Sequence, residues 1–345
     1  MNSIPKIKFY RYLIPVVFFG LAVAVLLMKV ATLKGTIDAL RMMPVWIVGL
    51  AVIAQVFSYL SSGYLLKVIV SRVRYRLSVI RGALVTIAAG SIGLASGAVG
   101  AVAATYHWIS QNNDDSGEAA LAGIIPILFN AIVIITITIL GMMYLLLNRE
   151  LSNSQILFYG LVLVIVVASV LIAFYGLRHR DKIEFLILGI AKKVNGIRFL
   201  KRKIDLTPLQ NTIDEFYDSM GLLKNRGWIR LGLGPTMNTI FDMLTLYLFF
   251  IAAGYSIQPS VLLAGYSLSF LVGRCAFFIP GGAGVVEGGM VAVFTNLGVP
   301  SSINVVVVLG YRFLSFWLPS LLGFPAMFYL QRTTGQRKRT NQNKV

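Results

Sequence analysis

The sequence predicts an all-α polytopic membrane protein with about six full spans, two broken or re-entrant helical elements, and halves that are compatible with an inverted repeat. Hydrophobic residues make up 57% of the 345 positions and charged residues only 13%. The mean hydropathy is +0.79. Soluble domains of this length carry about twice as many charged residues, so composition alone favours the membrane class.

Six apolar runs are each long enough to cross a hydrocarbon core of roughly 30 Å as a helix. They cover residues 12–33, 44–66, 119–147, 154–177, 229–253 and 302–330. The first of these follows Lys6, Lys8 and Arg11 and is longer than the apolar region of a signal peptide. We therefore expect it to be retained as a span.

Two further apolar runs are interrupted by glycine and proline. Residues 82–105 contain Gly90, Gly93, Gly97 and Gly100, and residues 258–297 contain Pro280, Gly281, Gly282 and Gly284. Proline removes a backbone donor, and glycine lowers helix propensity by about 1 kcal/mol relative to alanine. Both runs are therefore predicted to be broken helices or helical hairpins. For the first run, close helix packing through small residues is an alternative use of the same glycines.

The distribution of lysine and arginine predicts the topology. The N-terminal segment, residues 67–81, residues 178–230 and the tail after Gln331 are basic, and we expect all four to be cytoplasmic. Run 82–105 must then begin and end inside, as a re-entrant hairpin or two short crossings, and run 258–297 must begin and end outside. Broken elements that enter from opposite faces are typical of inverted-repeat transporters.

The predicted organisation has four parts. Residues 1–177 form a first membrane half with the broken element 82–105. Residues 229–331 form a second with the broken element 258–297, and residues 332–345 form a basic tail. Between the halves, residues 178–228 are predicted to be amphipathic helix on the inner leaflet, with a solvated connector as the alternative. About fifty residues are too few for an ordinary catalytic domain.

Charge and residue counts exclude several classes of protein. The net charge of +18 comes from short segments between apolar runs, which favours contact with anionic phospholipid head groups over nucleic acid. The single cysteine, Cys275, and two distant histidines, His107 and His179, give no pattern of metal ligands. No cofactor or metal is expected.

Four ionisable residues lie inside apolar runs: Asp242, Arg274, Glu287 and Arg312. Each costs roughly 2.5 to 3.5 kcal/mol at a helix centre if it has no partner. We expect Glu287 to pair with Arg312 or Arg274, and Asp242 with the other arginine. As an alternative, Asp242 snorkels or bonds Asn238 or Thr245, one turn away.

The same residues could instead line a ligand site. The arginine fork suits a phosphate, and a half-helix beginning after Gly284 would direct free N–H groups toward an anion. Glu287 in its first turn would suit the amine of a cationic head group, or would exchange a proton if burial shifts its titration. Structural ion pairing explains these charges equally well at this stage.

The second half carries a recognisable set of motifs. Pro280-Gly281-Gly282-Ala283-Gly284-Val285-Val286-Glu287, Leu297-Gly298-Val299-Pro300, Tyr311-Arg312-Phe313 and Phe316-Trp317-Leu318-Pro319 stand in this order. The pattern resembles the membrane region of the lysylphosphatidylglycerol synthetase/flippase family, also called UPF0104. The segments Ser96-Gly97-Ala98 and Gly117-Glu118-Ala119-Ala120-Leu121 resemble the family's first-half motif.

The resemblance implies a multi-pass protein of a bacterial or archaeal plasma (inner) membrane that moves charged lipids, including aminoacylated ones, between leaflets. The chain has no segment that resembles the aminoacyl-transferase domain of fused members, so we expect no enzyme activity and a separate enzyme for any lipid modification. The alternatives are an intramembrane enzyme that uses Glu287 as its base, and a scaffold for envelope or glycan assembly.

Overall fold

A computed structural model describes residues 43–70, 77–110, 116–147, 153–195, 206–224, 228–275 and 284–342. Within these ranges the secondary structure is helical, with no strand. Five helices are long and apolar enough to cross a membrane. The all-α polytopic prediction is confirmed. The predicted span 12–33 lies outside the described residues.

Eleven α-helices follow one another in the described part of the chain. They are α1 (Val45–Ile69), α2 (Val79–Ser110), α3 (Ser116–Leu147), α4 (Asn153–Arg178), α5 (Arg180–Asn195), α6 (Leu206–Lys224), α7 (Trp228–Ala252), α8 (Pro259–Cys275), α9 (Val285–Asn296), α10 (Ser301–Arg312) and α11 (Leu318–Gln342). A π-helical turn, Phe313–Trp317, joins α10 to α11 without a break.

Helix α2 is a hairpin that folds back at Gly97. Its φ of 69° and ψ of −165° lie in a region that is essentially restricted to glycine. A Cβ on Gly93 would lie 3.1 Å from the Cβ of Ala101, although eight residues of continuous helix would separate the two by about 12 Å. The arms, 79–96 and 98–110, are about 27 and 20 Å long. Both are shorter than the hydrocarbon core, which favours a re-entrant hairpin over two short crossings.

Helices α8 and α9 form a second hairpin. A Cβ on Gly265 would overlap the ring of Phe294, and a Cβ on Gly273 would overlap the side chain of Val286. These two contacts show that the helices run antiparallel, because the residue number increases along α8 while that of its contact on α9 decreases. The turn between the helices, residues 276–283, lies outside the described residues. The arms are about 26 and 18 Å long, so the longer arm again comes first.

Helices α1 and α7 form an antiparallel pair at the centre of the molecule. Leu65 lies against Gly234 at one end, and Thr245 lies against Ala51 at the other. Between them, Asn238 Nδ2 donates to Ser58 Oγ at 2.8 Å. Each hairpin follows the C-terminal end of one of these two helices. The hairpins therefore begin at opposite ends of the pair, as the topology argument predicted.

Each hairpin packs against the closing helices of the other half. In one contact, Ser91 Oγ of α2 donates to the carbonyl of Ser320 in α11 at 2.7 Å. In the other, a Cβ on Gly141 of α3 would lie 3.0 Å from the backbone nitrogen of Ala264 in α8. This exchange of contacts, together with the antiparallel central pair, is the arrangement expected of an inverted repeat.

The connector contains the amphipathic helices α5 and α6, and α6 is docked on the membrane half. Phe216 of α6 is buried in the core cluster that includes residues of α1, α2 and α3. The start of α3 passes so close that a Cβ on Gly117 would overlap the carbonyl oxygen of Glu215. An exposed salt bridge joins Arg180 to Asp214. This part of the connector is therefore packed against the membrane half and is not only a solvated connector.

Candidate functional site

A buried ion pair joins the second arm of the second hairpin to α10. Arg312 Nε donates to Glu287 Oε1 at 2.9 Å, and the two side chains are only 5% and 3% exposed. The helices run antiparallel, and Asn304 fixes their register by donating to the carbonyl of Val291 at 2.7 Å. The structure thus shows one of the two partners that the sequence predicted for Glu287.

Glu287 also caps its own helix. Gly284, with φ of 85°, stands before the first turn of α9, and its backbone N–H donates to Glu287 Oε2 at 2.8 Å. The half-helix therefore begins where the sequence predicted. The Glu287 carboxylate already occupies one N–H group, that of Gly284, at the N-terminus that the sequence predicted as an anion site. Pro280, Gly281 and Gly282 lie outside the described residues.

The Arg312 guanidinium has unused hydrogen-bonding capacity. Its Nη2 is buried and has no hydrogen-bond partner among the described residues. The Cζ atom lies 4.2 Å from the centroid of the Phe316 ring, within the range of a cation–π contact. Because a buried, unpaired N–H is costly, this nitrogen is the clearest place in the pair for an additional acceptor.

A second polar cluster surrounds Asp242 of α7. Asp242 Oδ2 accepts hydrogen bonds from Tyr266 of α8 at 2.7 Å and from Tyr311 of α10 at 2.5 Å. Gln55 of α1 and Arg312 of α10 lie close enough to act on this carboxylate. The carboxylate therefore connects α7 to α8 and α10, next to α1.

The contacts of Asp242 in the described residues are not ones that the sequence predicted. They are tyrosine hydroxyls, and no Arg, Lys or His nitrogen of the described part lies within 4 Å. Asn238 bonds Ser58 instead, and the Thr245 hydroxyl donates to the Phe241 carbonyl. Arg274 ends α8, and its side chain lies outside the described residues.

The π-helical turn directly follows Arg312. The backbone N–H of Leu318 donates to the carbonyl of Phe313, five residues earlier. Within the turn, the carbonyl of Ser315 accepts a hydrogen bond from Tyr59 of α1 at 2.8 Å. Single π turns often occur at functional sites because they reorient side chains and release backbone carbonyls. This one ties α1 to the helix that holds the ion pair.

The glycines of the first hairpin have separate structural roles. Gly97 forms the turn and Gly93 faces Ala101, while Gly100 packs against the Ser96 side chain. Gly90 has no atom within 4 Å of where its Cβ would be. It lines a cavity of about 230 Å³ between α1, α2, α3 and α7 that also contains the polar side chains of Thr86, Thr105 and Asn130.

A larger, open groove of about 780 Å³ lies between α3, α7 and α8. Its walls are almost entirely apolar, with Met243, Tyr247 and Leu262 among the lining residues. Positions 236, 240, 243 and 247 of α7 face it, whereas positions 234, 238 and 245 contact α1. The groove and α1 therefore lie on opposite faces of α7.

Sequence reasoning located the charged members of these clusters and missed the neutral ones. Tyr266, Tyr59 and Gln55 were not singled out, and Tyr311 appeared only within a motif. Gln55 carried a detectable signal, because an amide inside the apolar run 44–66 needs a partner for the same reason as a charge does. The tyrosines carried none, since tyrosine is also common where spans meet the membrane surface.

Together these observations define a class of protein. The described chain is a polytopic membrane protein. Its two hairpins begin at opposite ends of an antiparallel helix pair. Charged and polar clusters lie where the second hairpin meets α1, α7 and α10. Residues 17–323 match the family described as the lysylphosphatidylglycerol synthase TM region. The chain belongs to this family.

Two archaeal relatives support the assignment. A UPF0104 membrane protein of Methanocaldococcus jannaschii is 32% identical over 145 residues, which cover 41% of this chain and 43% of the relative. A UPF0104 membrane protein of Methanothermobacter thermautotrophicus is 27% identical over 181 residues, which cover 50% of this chain and 52% of the relative. The matches thus span about half the length of these curated relatives.

Proposed function

We propose that this protein translocates a charged phospholipid, including aminoacylated forms, between the leaflets of a membrane. The observation that carries the proposal is the buried Arg312, whose Nε is paired with Glu287 while its Nη2 has no partner among the described residues. An arginine in this state offers a phosphate a charged donor at a depth where water does not compete. Membership of the lysylphosphatidylglycerol synthase TM family points to the same class of ligand.

The route for the head group follows from the position of this pair. Glu287 lies in the first turn after the break in the second hairpin, and Arg312 is followed directly by the π turn. A head group that moves along the hairpin would meet polar side chains there instead of hydrocarbon. Because Glu287 takes the Gly284 N–H, we assign the phosphate to Arg312 and not to the helix N-terminus.

The apolar groove between α3, α7 and α8 suits the hydrocarbon part of a lipid. Its volume of about 780 Å³ falls in the range of roughly 300 to 1,000 Å³ that is usual for ligand sites. Two of its walls, α3 and α7, are helices long and apolar enough to cross a membrane, and the third, α8, is a shorter apolar helix. Acyl chains in this groove would keep contact with apolar surface while the head group moves.

The occupied state of Glu287 favours translocation over catalysis. An intramembrane enzyme would need a base with an oxygen free to face its substrate. Each carboxylate oxygen of Glu287 already accepts one hydrogen bond, from Arg312 or from Gly284, so a substrate would compete with these two donors for the remaining lone pairs. We therefore infer a transporter that works on lipid made or modified by a separate enzyme, in a plasma membrane.

Leaflet exchange in proteoliposomes tests this function. Vesicles containing the purified protein and a fluorescent phospholipid are treated with an impermeant quencher, and the protected fraction is followed over time for anionic, zwitterionic and lysine-bearing head groups. The unmodified protein should speed exchange of at least one of these lipids. Arg312→Lys keeps the charge but loses the planar fork, so it should slow that exchange.

Two comparisons make the result decisive. Asp214→Asn removes the exposed salt bridge of the connector and should leave exchange unchanged, which controls for the loss of an ion pair as such. Met243→Trp places a large ring in the apolar groove and should slow exchange without touching the ion pair. If no head group moves faster than in protein-free vesicles, the proposed function is wrong.

A further inference from the structure

The carboxylate of Asp242 differs from that of Glu287 in the kind of partners it has. Glu287 contacts a guanidinium and a helix N-terminus, both of which stabilise a negative charge. Among the described residues, the contacts of Asp242 are with neutral groups, two phenol hydroxyls and the nearby amide of Gln55. A charge inside a membrane protein without a contacting counter-ion is costly, and binding a proton removes that cost.

Gln55 can match either charge state of Asp242. Its side chain lies beside Asp242, and its Oε1 atom is buried without a hydrogen-bond partner among the described residues. A glutamine amide presents a donor at one end and an acceptor at the other, and rotation about its last bond exchanges them. The NH₂ group serves a carboxylate, and Oε1 accepts from a protonated carboxylic acid.

The hydroxyl partners also fit both states. Tyr266 and Tyr311 donate to the same oxygen, Oδ2, so the other oxygen, Oδ1, can carry a proton without displacing them. We propose that Asp242 takes up and releases a proton at this position, with Gln55 turning to match. The step forms one O–H bond with a proton from water and returns that proton to water.

A proton would reach Asp242 through the exposed part of its side chain. Asp242 is partly accessible, whereas Tyr311 beside it is fully buried at 0% exposure. The titratable and charged groups around it are Tyr59 on α1, Tyr266 on α8, and Tyr311 and Arg312 on α10. Glu287 on α9 acts through Arg312. Within the described residues, the contacts of Asp242 are tyrosine hydroxyls, whereas Glu287 contacts the Arg312 guanidinium.

Protonation would change how firmly the second hairpin is held. Asp242 on α7 binds Tyr266 of α8 and Tyr311 of α10 through hydrogen bonds to a carboxylate, which are about twice as strong as bonds between neutral groups. The neutral acid therefore loosens α8 and α10 from α7. Resting on the proposed lipid translocation, we infer that proton binding at Asp242 drives or gates that movement.

Infrared difference spectroscopy tests the proton site without any transport assay. The purified protein in detergent is titrated between acid and alkaline pH, and the C=O stretch of a protonated carboxylic acid is followed in H₂O and D₂O. A band that titrates and is lost in Asp242→Asn supports the site. Gln55→Leu, which leaves the carboxylate in place, should shift that band. If Asp242→Asn removes no titrating band, the proposal is overturned.

Proteoliposomes with a pH difference across the membrane test the coupling. The lipid exchange rate should respond to the direction of the gradient in the unmodified protein, and Asp242→Asn should lose that response. Exchange that ignores the gradient overturns the coupling but leaves lipid translocation in place. A titrating Asp242 band in a protein that exchanges no lipid supports the proton site and contradicts the proposed function instead.

Discussion

Replacing Glu287 with glutamine should destabilise the protein far more than breaking an exposed ion pair does. Glutamine keeps an oxygen for the Gly284 N–H, so the main change is loss of the charge that Arg312 faces at 2.9 Å. With both side chains at most 5% exposed, Arg312 is left as a buried, unpaired cation. Breaking a buried pair in this way costs about 3 to 5 kcal/mol.

This cost corresponds to a loss of roughly 140- to 3,700-fold in the folding equilibrium constant, at 1.4 kcal/mol for each factor of ten. The measurement is the free energy of unfolding in detergent micelles by denaturant titration. The double variant Glu287→Gln with Arg312→Met removes both charges and should recover much of the loss.

The exposed pair of Arg180 and Asp214 supplies the matched control. Its side chains are each 47% exposed, so Asp214→Asn should change the free energy of unfolding by about 0 to 1 kcal/mol. If Glu287→Gln costs no more than this control, water reaches the Arg312–Glu287 pair. The argument for a buried charged site would then be refuted.

Three further changes test the hairpin and its packing. Gly97→Val should lower the free energy of unfolding by about 1 to 3 kcal/mol, because the backbone conformation at this position is essentially restricted to glycine. Gly90→Ala has open space for its Cβ, so in thermal denaturation it should be neutral or stabilising by about 1 kcal/mol. Cysteines placed at Gly93 and Ala101, with Cys275 replaced by serine, should form a disulfide, because the two Cβ positions lie 3.1 Å apart. The disulfide would change the mobility of the protein on a non-reducing gel. Persistence of both thiols under oxidation would contradict the hairpin. Ser91→Ala should lower the free energy of unfolding by about 1 kcal/mol through loss of the bond to Ser320.

Much of the fold was predictable because a bilayer imposes few and strong requirements. A helix that crosses roughly 30 Å needs about twenty apolar residues, and this length identified the spans now seen as α1, α3, α4 and α7 within a few residues at each end. A break within residues 82–105 followed from the same reasoning, because several glycines weaken a helix there, and the structure places that break at Gly97. The basic segments then required both broken elements to return to the side from which they start.

The site was predictable in its charges and not in its geometry. Intramembrane charges need partners, which led to the pairing of Glu287 with Arg312. Nothing in the sequence showed that Asp242 would be held by tyrosines, because a phenol hydroxyl satisfies a carboxylate without changing the charge count. The π turn after Arg312 was equally hidden, since its extra residue depends on how α10 and α11 pack against α1.

The exchange of contacts between the halves has a consequence for biosynthesis. The first hairpin is synthesised 229 residues before Ser320, its hydrogen-bond partner in α11, and Gly323 of the same helix also lies against Ser91. This contact of the hairpin therefore forms only after α11 has been made. A chain cut before Ser320 would leave the hairpin without that support.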